Sequence, residues 1–318
     1  MNLKGNKYYF LGIGGIGMSA LAQYLFDLGN SVMGYDKTPS PITSQLADHD
    51  ISVVFDSSVE SIPEEYRQED AQIVFTPAVP DDHSQLIFFI NQGNKIIKRA
   101  ELLGQITKNT TVFAIAGTHG KTTTASFLTH LFAHLNLEFT AFLGGIMNQY
   151  QSNLIQKGDS YSIVEADEYD RSFLQLFPDF ACITAMDADH LDVYGDYDNM
   201  KKAFEQFSKL VTQKVIVAKG VDLEGITYAE EAEASYGAQN IRHNEHGYHF
   251  DLVTPKLVHK DVYLNAIGRH NLSNAIGALA VLDMAGFSLE KALPALSTFE
   301  GIQRRMEVFS LGDRKSVV

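Results

Sequence analysis

Gly117, Gly120, Lys121 and the threonines Thr122 to Thr124 bring phosphate chemistry within reach of one short stretch of chain. The two glycines let the backbone turn and approach an anion closely, Lys121 adds a point charge, and the N–H groups opening a helix would face the same spot. The Thr122 hydroxyl can take a place around a magnesium ion. The general phosphate-loop pattern has about four residues between its glycines, whereas only Thr118 and His119 stand between them here. A plain glycine turn ahead of an ordinary helix is therefore the alternative. A surface lysine in such a loop contributes little packing, so Lys121→Ala is expected to abolish chemistry with little loss of fold.

Three other groupings carry chemical potential. Glu165, Asp167, Glu168 and Asp170 place four carboxylates within six residues. They repel one another, and a bound divalent cation would relieve that, although an exposed acidic turn is the plainer reading. Gly12, Gly14, Gly15, Ile16 and Gly17, followed nineteen residues later by Asp36, form a dinucleotide-binding fingerprint in which the acidic residue accepts from a ribose hydroxyl. By itself this suggests an NAD-dependent oxidoreductase or a purely structural turn. Gly268 to Ala275 reads as a glycine turn and helix start, with Asn271 as a candidate cap.

The elements that must hold these groups are legible as apolar runs. Val112 to Ala116 suits a buried strand before the Lys121 loop, and Ala125, Leu128, Leu131 and Phe132 give the following helix an apolar stripe. Tyr8 to Leu11, Ser31 to Tyr35, Ile51 to Phe55, Ile73 to Phe75 and Lys95 to Lys98 alternate with helical segments, which predicts a parallel α/β domain. Phe139 to Phe142, Tyr161 to Val164, Phe180 to Met186 and Lys214 to Ala218 predict a second parallel sheet. Tyr228 to Leu264 predicts a small antiparallel one. The polar break Lys108-Asn109-Thr110 sets the expected boundary between a first domain, 1–108, and a second that begins at 109.

At 318 residues, the chain is long for one core. Its 25 basic and 39 acidic residues give a net charge of −14, with the basic ones scattered, which argues against nucleic acid or an anionic membrane as partner. The single cysteine, Cys182, cannot form an internal disulfide and reads as a small core residue. The N-terminus lacks the apolar core of a signal peptide, no stretch predicts membrane insertion, and a cytoplasmic location is expected.

Gly117-Thr118-His119-Gly120-Lys121-Thr122-Thr123-Thr124 resembles the shortened phosphate loop of the Mur ligases, ATP-dependent amino-acid ligases of peptidoglycan precursor synthesis. Read together with Gly12 to Ser19, it is most similar to members that join L-alanine to UDP-N-acetylmuramate. The resemblance implies a Rossmann-like first domain that binds UDP rather than a nicotinamide, then an ATPase-type α/β domain with a small antiparallel subsheet. It makes Glu165 and His190 magnesium ligands with Thr122, and His270, Asn271 and Asn274 contacts to ATP. Gly301 to Arg305 resembles the family's link to a third domain, which implies a second domain of 109–303 and the start of a third at 304–318, with Arg304 or Arg305 reaching the phosphates. Tyr169 stands where alanine-adding members often have serine and a tripeptide-recycling member has tyrosine, so both amines stay open. Counting on from His190 to where some members carry a carbamylated lysine reaches Glu205, and no carbamate is assigned. In the family a further domain follows these two and closes on ATP. The 318-residue chain is thus expected to keep both nucleotide sites, without useful ligase activity alone.

Overall fold

The computed structural model describes residues 3–187, 194–231, 233–303, 308–311 and 314–317. The chain divides into two compact units, 1–109 and 110–318.

In the first unit, β1 (Lys7–Leu11), β2 (Ser31–Tyr35), β3 (Ser52–Val54), β4 (Ala71–Phe75) and β5 (Lys95–Lys98) form a parallel sheet in the order β3-β2-β1-β4-β5. Helices α1 (Ile16–Asp27), α2 (Pro41–Asp48), α3 (Ser84–Gln92) and α4 (Arg99–Thr107) connect them. The strand order reverses between β1 and β4, so the loop after β1 opens at the switch point where such sheets bind ligands. Tyr8, Tyr9, Phe10 and Leu11 of β1 are fully buried, as a central strand covered on both faces requires.

The second unit is built on a seven-stranded sheet. Its strands are β6 (Thr111–Ala116), β7 (Phe139–Met147), β8 (Ser152–Gln156), β9 (Tyr161–Ala166), β10 (Phe180–Ile183), β11 (Lys214–Ala218) and β12 (Ile226–Tyr228), in the order β12-β11-β10-β6-β9-β7-β8. All pairings are parallel except β7 with the edge strand β8. Helix α5 (Lys121–His134) leaves β6 through the glycine loop, and α6 (Tyr197–Leu210) precedes β11. Strands β13 (Gly237–His243), β14 (Tyr248–Val253) and β15 (Val258–Leu264) form the small antiparallel sheet. Then come α7 (Arg269–Met284), α8 (Leu289–Ala292) and the hairpin β16 (Val308–Leu311) and β17 (Arg314–Val317). Phe113, Phe132, Phe139, Tyr161 and Phe287 interlock as edge-on rings in the core, and α5 packs along α7.

The strand β8 went unforeseen, because Ser152 and Asn153 dilute its apolar signal. The capping role expected of Asn271 is corrected. Gly268, with φ +92°, is the cap of α7, while Asn271 lies inside the helix and donates from Nδ2 to the Ile267 carbonyl at 2.7 Å. Only a residue free to adopt that backbone geometry can occupy the cap, so the glycine takes it.

Candidate active site

Strand register assembles the site. Ile115 and Ala116 of β6 lie opposite Glu165 and Ala166 of β9 on one side, and opposite Cys182 and Ile183 of β10 on the other. The Gly117–Gly120 loop, the acidic run and Thr184 therefore emerge at one sheet edge. Thr184 and Ala185 strap the loop: the Thr118 N–H donates to the Ala185 carbonyl at 3.1 Å, and the Thr184 hydroxyl reaches the carbonyls of Ala116 and His119. Gly117 has φ +130°, and a Cβ there would sit 2.8 Å from the Ala185 nitrogen, so close approach and backbone conformation both demand glycine.

Gly120 caps α5 with φ +81°, and Lys121 to Thr123 form its first turn, leaving that turn's N–H groups aimed outward. The Lys121 ammonium does not hang free at the surface. It donates to both oxygens of Glu168, at 2.9 and 2.7 Å, and to the Gly117 carbonyl at 2.7 Å; the Glu168 side chain is 0% exposed. Glu165 is held separately: its Oε2 accepts from the Thr122 hydroxyl at 3.1 Å and its Oε1 from the Gly144 N–H at 2.6 Å. Part of the repulsion within the acidic run is thus relieved by the chain's own lysine, amide and hydroxyl. His190, Arg304 and Arg305 lie outside the described residues.

A cavity of about 1150 Å³ opens beside the loop, wide enough for a nucleotide. His119, Gly120 and Thr123 line it from α5 and its loop, and His270, Asn271 and Asn274 from the start of α7, so the structure brings two sequence-separated motifs onto one cavity. Asn274 Oδ1 lies 2.6 Å from where a Cβ on Gly120 would be, which makes glycine necessary there as well. The β13–β14 turn adds Glu245 and His246 to the wall. No sequence pattern pointed to these two.

In the first unit, Gly12 (φ +82°) donates from its N–H to the Tyr35 carbonyl at 2.8 Å, Gly15 caps α1, and Ile16 and Gly17 open it. Asp36, expected to accept from a ribose hydroxyl, uses Oδ2 for the Gly14 N–H at 2.7 Å and Oδ1 for the Thr38 N–H at 3.3 Å. Its carboxylate braces the loop from within. Sequence reasoning also missed Arg99. A Cβ on Gly17 would lie 2.9 Å from its Nη1, so glycine at 17 makes room for a guanidinium beside the opening of α1.

Comparison with known proteins gives these geometries a context. The chain matches the Mur ligase family catalytic domain over residues 7–111 and the Mur ligase middle domain over residues 115–282. The UDP-N-acetylmuramate--L-alanine ligase of Flavobacterium johnsoniae is 47% identical over 299 residues, covering 93% of this chain and 67% of that protein. The crystal structure of the UDP-N-acetylmuramate-alanine ligase MurC from Thermotoga maritima superposes with a TM-score of 0.87 at 29% identity, covering 96% of this chain and 71% of that one. The UDP-N-acetylmuramate:L-alanyl-gamma-D-glutamyl-meso-diaminopimelate ligase from Neisseria meningitides shares the fold, with a TM-score of 0.83 at 22% identity, covering 94% of this chain and 99% of that one. With the glycine loop and the α7 start on one cavity, and the acidic strand end bonded to that loop through Thr122 and Lys121, the chain belongs to the Mur ligase family.

Proposed function

We propose that this chain is the nucleotide- and sugar-binding part of an ATP-dependent ligase that joins L-alanine to UDP-N-acetylmuramate in peptidoglycan precursor synthesis, acting in the cytoplasm. The observation that carries this reading is the meeting of His119, Gly120 and Thr123 with the start of α7 on one cavity, beside a loop whose Lys121 and Thr122 hold Glu168 and Glu165 at the end of strands in fixed register. Among the described residues, no helix is long and apolar enough to cross a membrane.

A carboxylate is a poor electrophile. In the proposed reaction, an oxygen of the lactyl carboxylate attacks the γ-phosphorus of ATP and the bond to ADP breaks. The amine of L-alanine then attacks the acyl carbon of the resulting acyl phosphate, and phosphate leaves. The backbone N–H groups of Lys121 to Thr123, at the start of α5, would orient the triphosphate, and Lys121 would offset charge as it shifts toward the leaving oxygen. His270, Asn271 and Asn274 would hold the nucleotide from the α7 side. Gly12 to Gly17, with Arg99 alongside, would take the diphosphate of UDP at the start of α1.

The residues present suit magnesium. Thr122 Oγ1 and Glu165 Oε2 are hard oxygen donors 3.1 Å apart, in a niche that a Cβ on Gly144 would invade. Bound there, with His190 as a further ligand and Arg304 or Arg305 near the phosphates, the ion would supply charge neutralisation for phosphoryl transfer.

The test is ATP-dependent phosphate release with UDP-N-acetylmuramate and either L-alanine or the tripeptide as amine, using the gene product that includes this chain. Release with L-alanine is expected. Release with the tripeptide alone would move the assignment to the recycling reaction, and NADH consumption without phosphate release would restore the oxidoreductase alternative.

A further inference from the structure

The Lys121 ammonium has three N–H donors, and three acceptors meet it: both Glu168 oxygens and the Gly117 carbonyl. A phosphate can be grasped only if at least one of these contacts breaks. The two partners differ in their freedom to move. Glu168 stands on a rigid platform: its carbonyl accepts from the buried Tyr194 hydroxyl at 2.5 Å and from the Arg171 N–H at 2.9 Å. Asp170 and Arg171 follow with φ of +53° and +55°, two non-glycine residues in the left-handed region that turn the chain sharply back. Phe173, fully buried, then stacks on Phe207 at 4.8 Å and meets Phe204 edge-on at 5.1 Å, tying this turn to α6. Lys121 instead has a flexible four-carbon stem and a side chain that is 17% exposed, where that of Glu168 is fully buried.

We infer that Glu168 is a positioning residue which holds the Lys121 ammonium back in the nucleotide-free protein and yields it to the phosphates of ATP. Glu168 stays fixed while the lysine swings. The inference rests on the ATP-ligase reading above. Its consequence is that the protein binds ATP more weakly than the loop alone would allow, because the competent lysine position is populated only when the carboxylate lets go.

Glu168→Gln tests this, since it preserves size and removes the charge. Calorimetric titration of magnesium-ATP into the 318-residue chain should show binding about tenfold tighter than wild type, equivalent to ~1.4 kcal/mol, while the melting temperature without nucleotide falls. A melting temperature that falls with ATP affinity unchanged or weakened would reduce Glu168 to a structural role and overturn the inference. If the glutamine variant does not fold, Glu168→Asp retains the charge but is a methylene too short for both hydrogen bonds. ATP should then bind a few-fold tighter, and unchanged affinity would again overturn the inference. Failure of the wild-type chain to bind ATP at all would instead sink the ATP-ligase reading, and this inference with it.

Discussion

Gly144→Ala separates the chemistry of the site from its stability. Gly144 lies within β7, so alanine brings no left-handed strain; a Cβ there would stand 2.6 Å from Glu165 Oε2 and 3.0 Å from its Cδ. Ordinary contact begins near 3.4 Å, so the carboxylate must retreat by about 0.8 Å. Because the obstructing atoms are the end of a flexible side chain, the fold gives way cheaply. The 2.6 Å bond from the Gly144 N–H and the 3.1 Å bond from the Thr122 hydroxyl are loosened, and bonds to a charged group contribute roughly 1.5–3 kcal/mol each when intact. With partial relaxation, the net cost is about 1–2 kcal/mol, or roughly 2–8 °C in melting temperature for a unit of this size. Function should suffer more, since a displacement near 1 Å in a positioned group can cost about a hundredfold in rate. The assay compares ATP binding with and without magnesium in wild type and variant: the gain from magnesium should shrink at least about tenfold while both proteins stay folded at 25 °C. An undiminished magnesium effect would refute the pairing of Thr122 and Glu165 as ion ligands.

Other outcomes follow from the same coordinates. Lys121→Ala, harmless to the fold on sequence grounds, strips an ammonium from a fully buried carboxylate and should cost about 3–5 kcal/mol; thermal unfolding will show this, and adding Glu168→Gln should restore at least half of it. Burial pushes the Cys182 thiol up to about 12, so at pH 8 only about one molecule in ten thousand carries the reactive thiolate, and a disulfide reagent should label it only after denaturant is added. The sign is that of an acid held neutral: its contribution to stability is complete below the unfolded value near 8.5 and is lost as pH rises from there toward 12. UDP should raise the melting temperature of the wild-type chain, and Arg99→Met should reduce that rise if the guanidinium beside Gly17 meets the diphosphate; NADH stabilising the chain where UDP does not would reverse the assignment of this loop.

What the sequence made legible was mostly local. The glycine loop announces itself because three requirements, tight turning, close approach and a charge, fall on adjacent residues. The parallel strands announce themselves as unbroken apolar runs. The Lys121–Glu168 pair gave no such signal. It depends on the reversal at Asp170 and Arg171, where two ordinary residues adopt a conformation usually left to glycine. Arg99 was invisible for another reason: what brings it to Gly17 is the packing of α4 near α1, which joins positions far apart in the chain. The capping error at Asn271 shows local chemistry overruled by backbone geometry, since glycine at 268 already satisfied the helix start.

The pairing of Ile115 with Glu165 makes the parallel ladder a ruler for the reaction. Side chains on a strand alternate between faces, so one residue inserted or deleted between Tyr161 and Glu165 would not stretch the site by a fraction of an ångström. It would present Val164 or Ala166 in place of the acid and turn the carboxylate to the opposite face. The spacing between the phosphate-gripping loop and the acid is therefore quantised in whole residues, and change in this site is channelled into the loops and the β13–β14 turn, where length can vary without moving the ruler's marks.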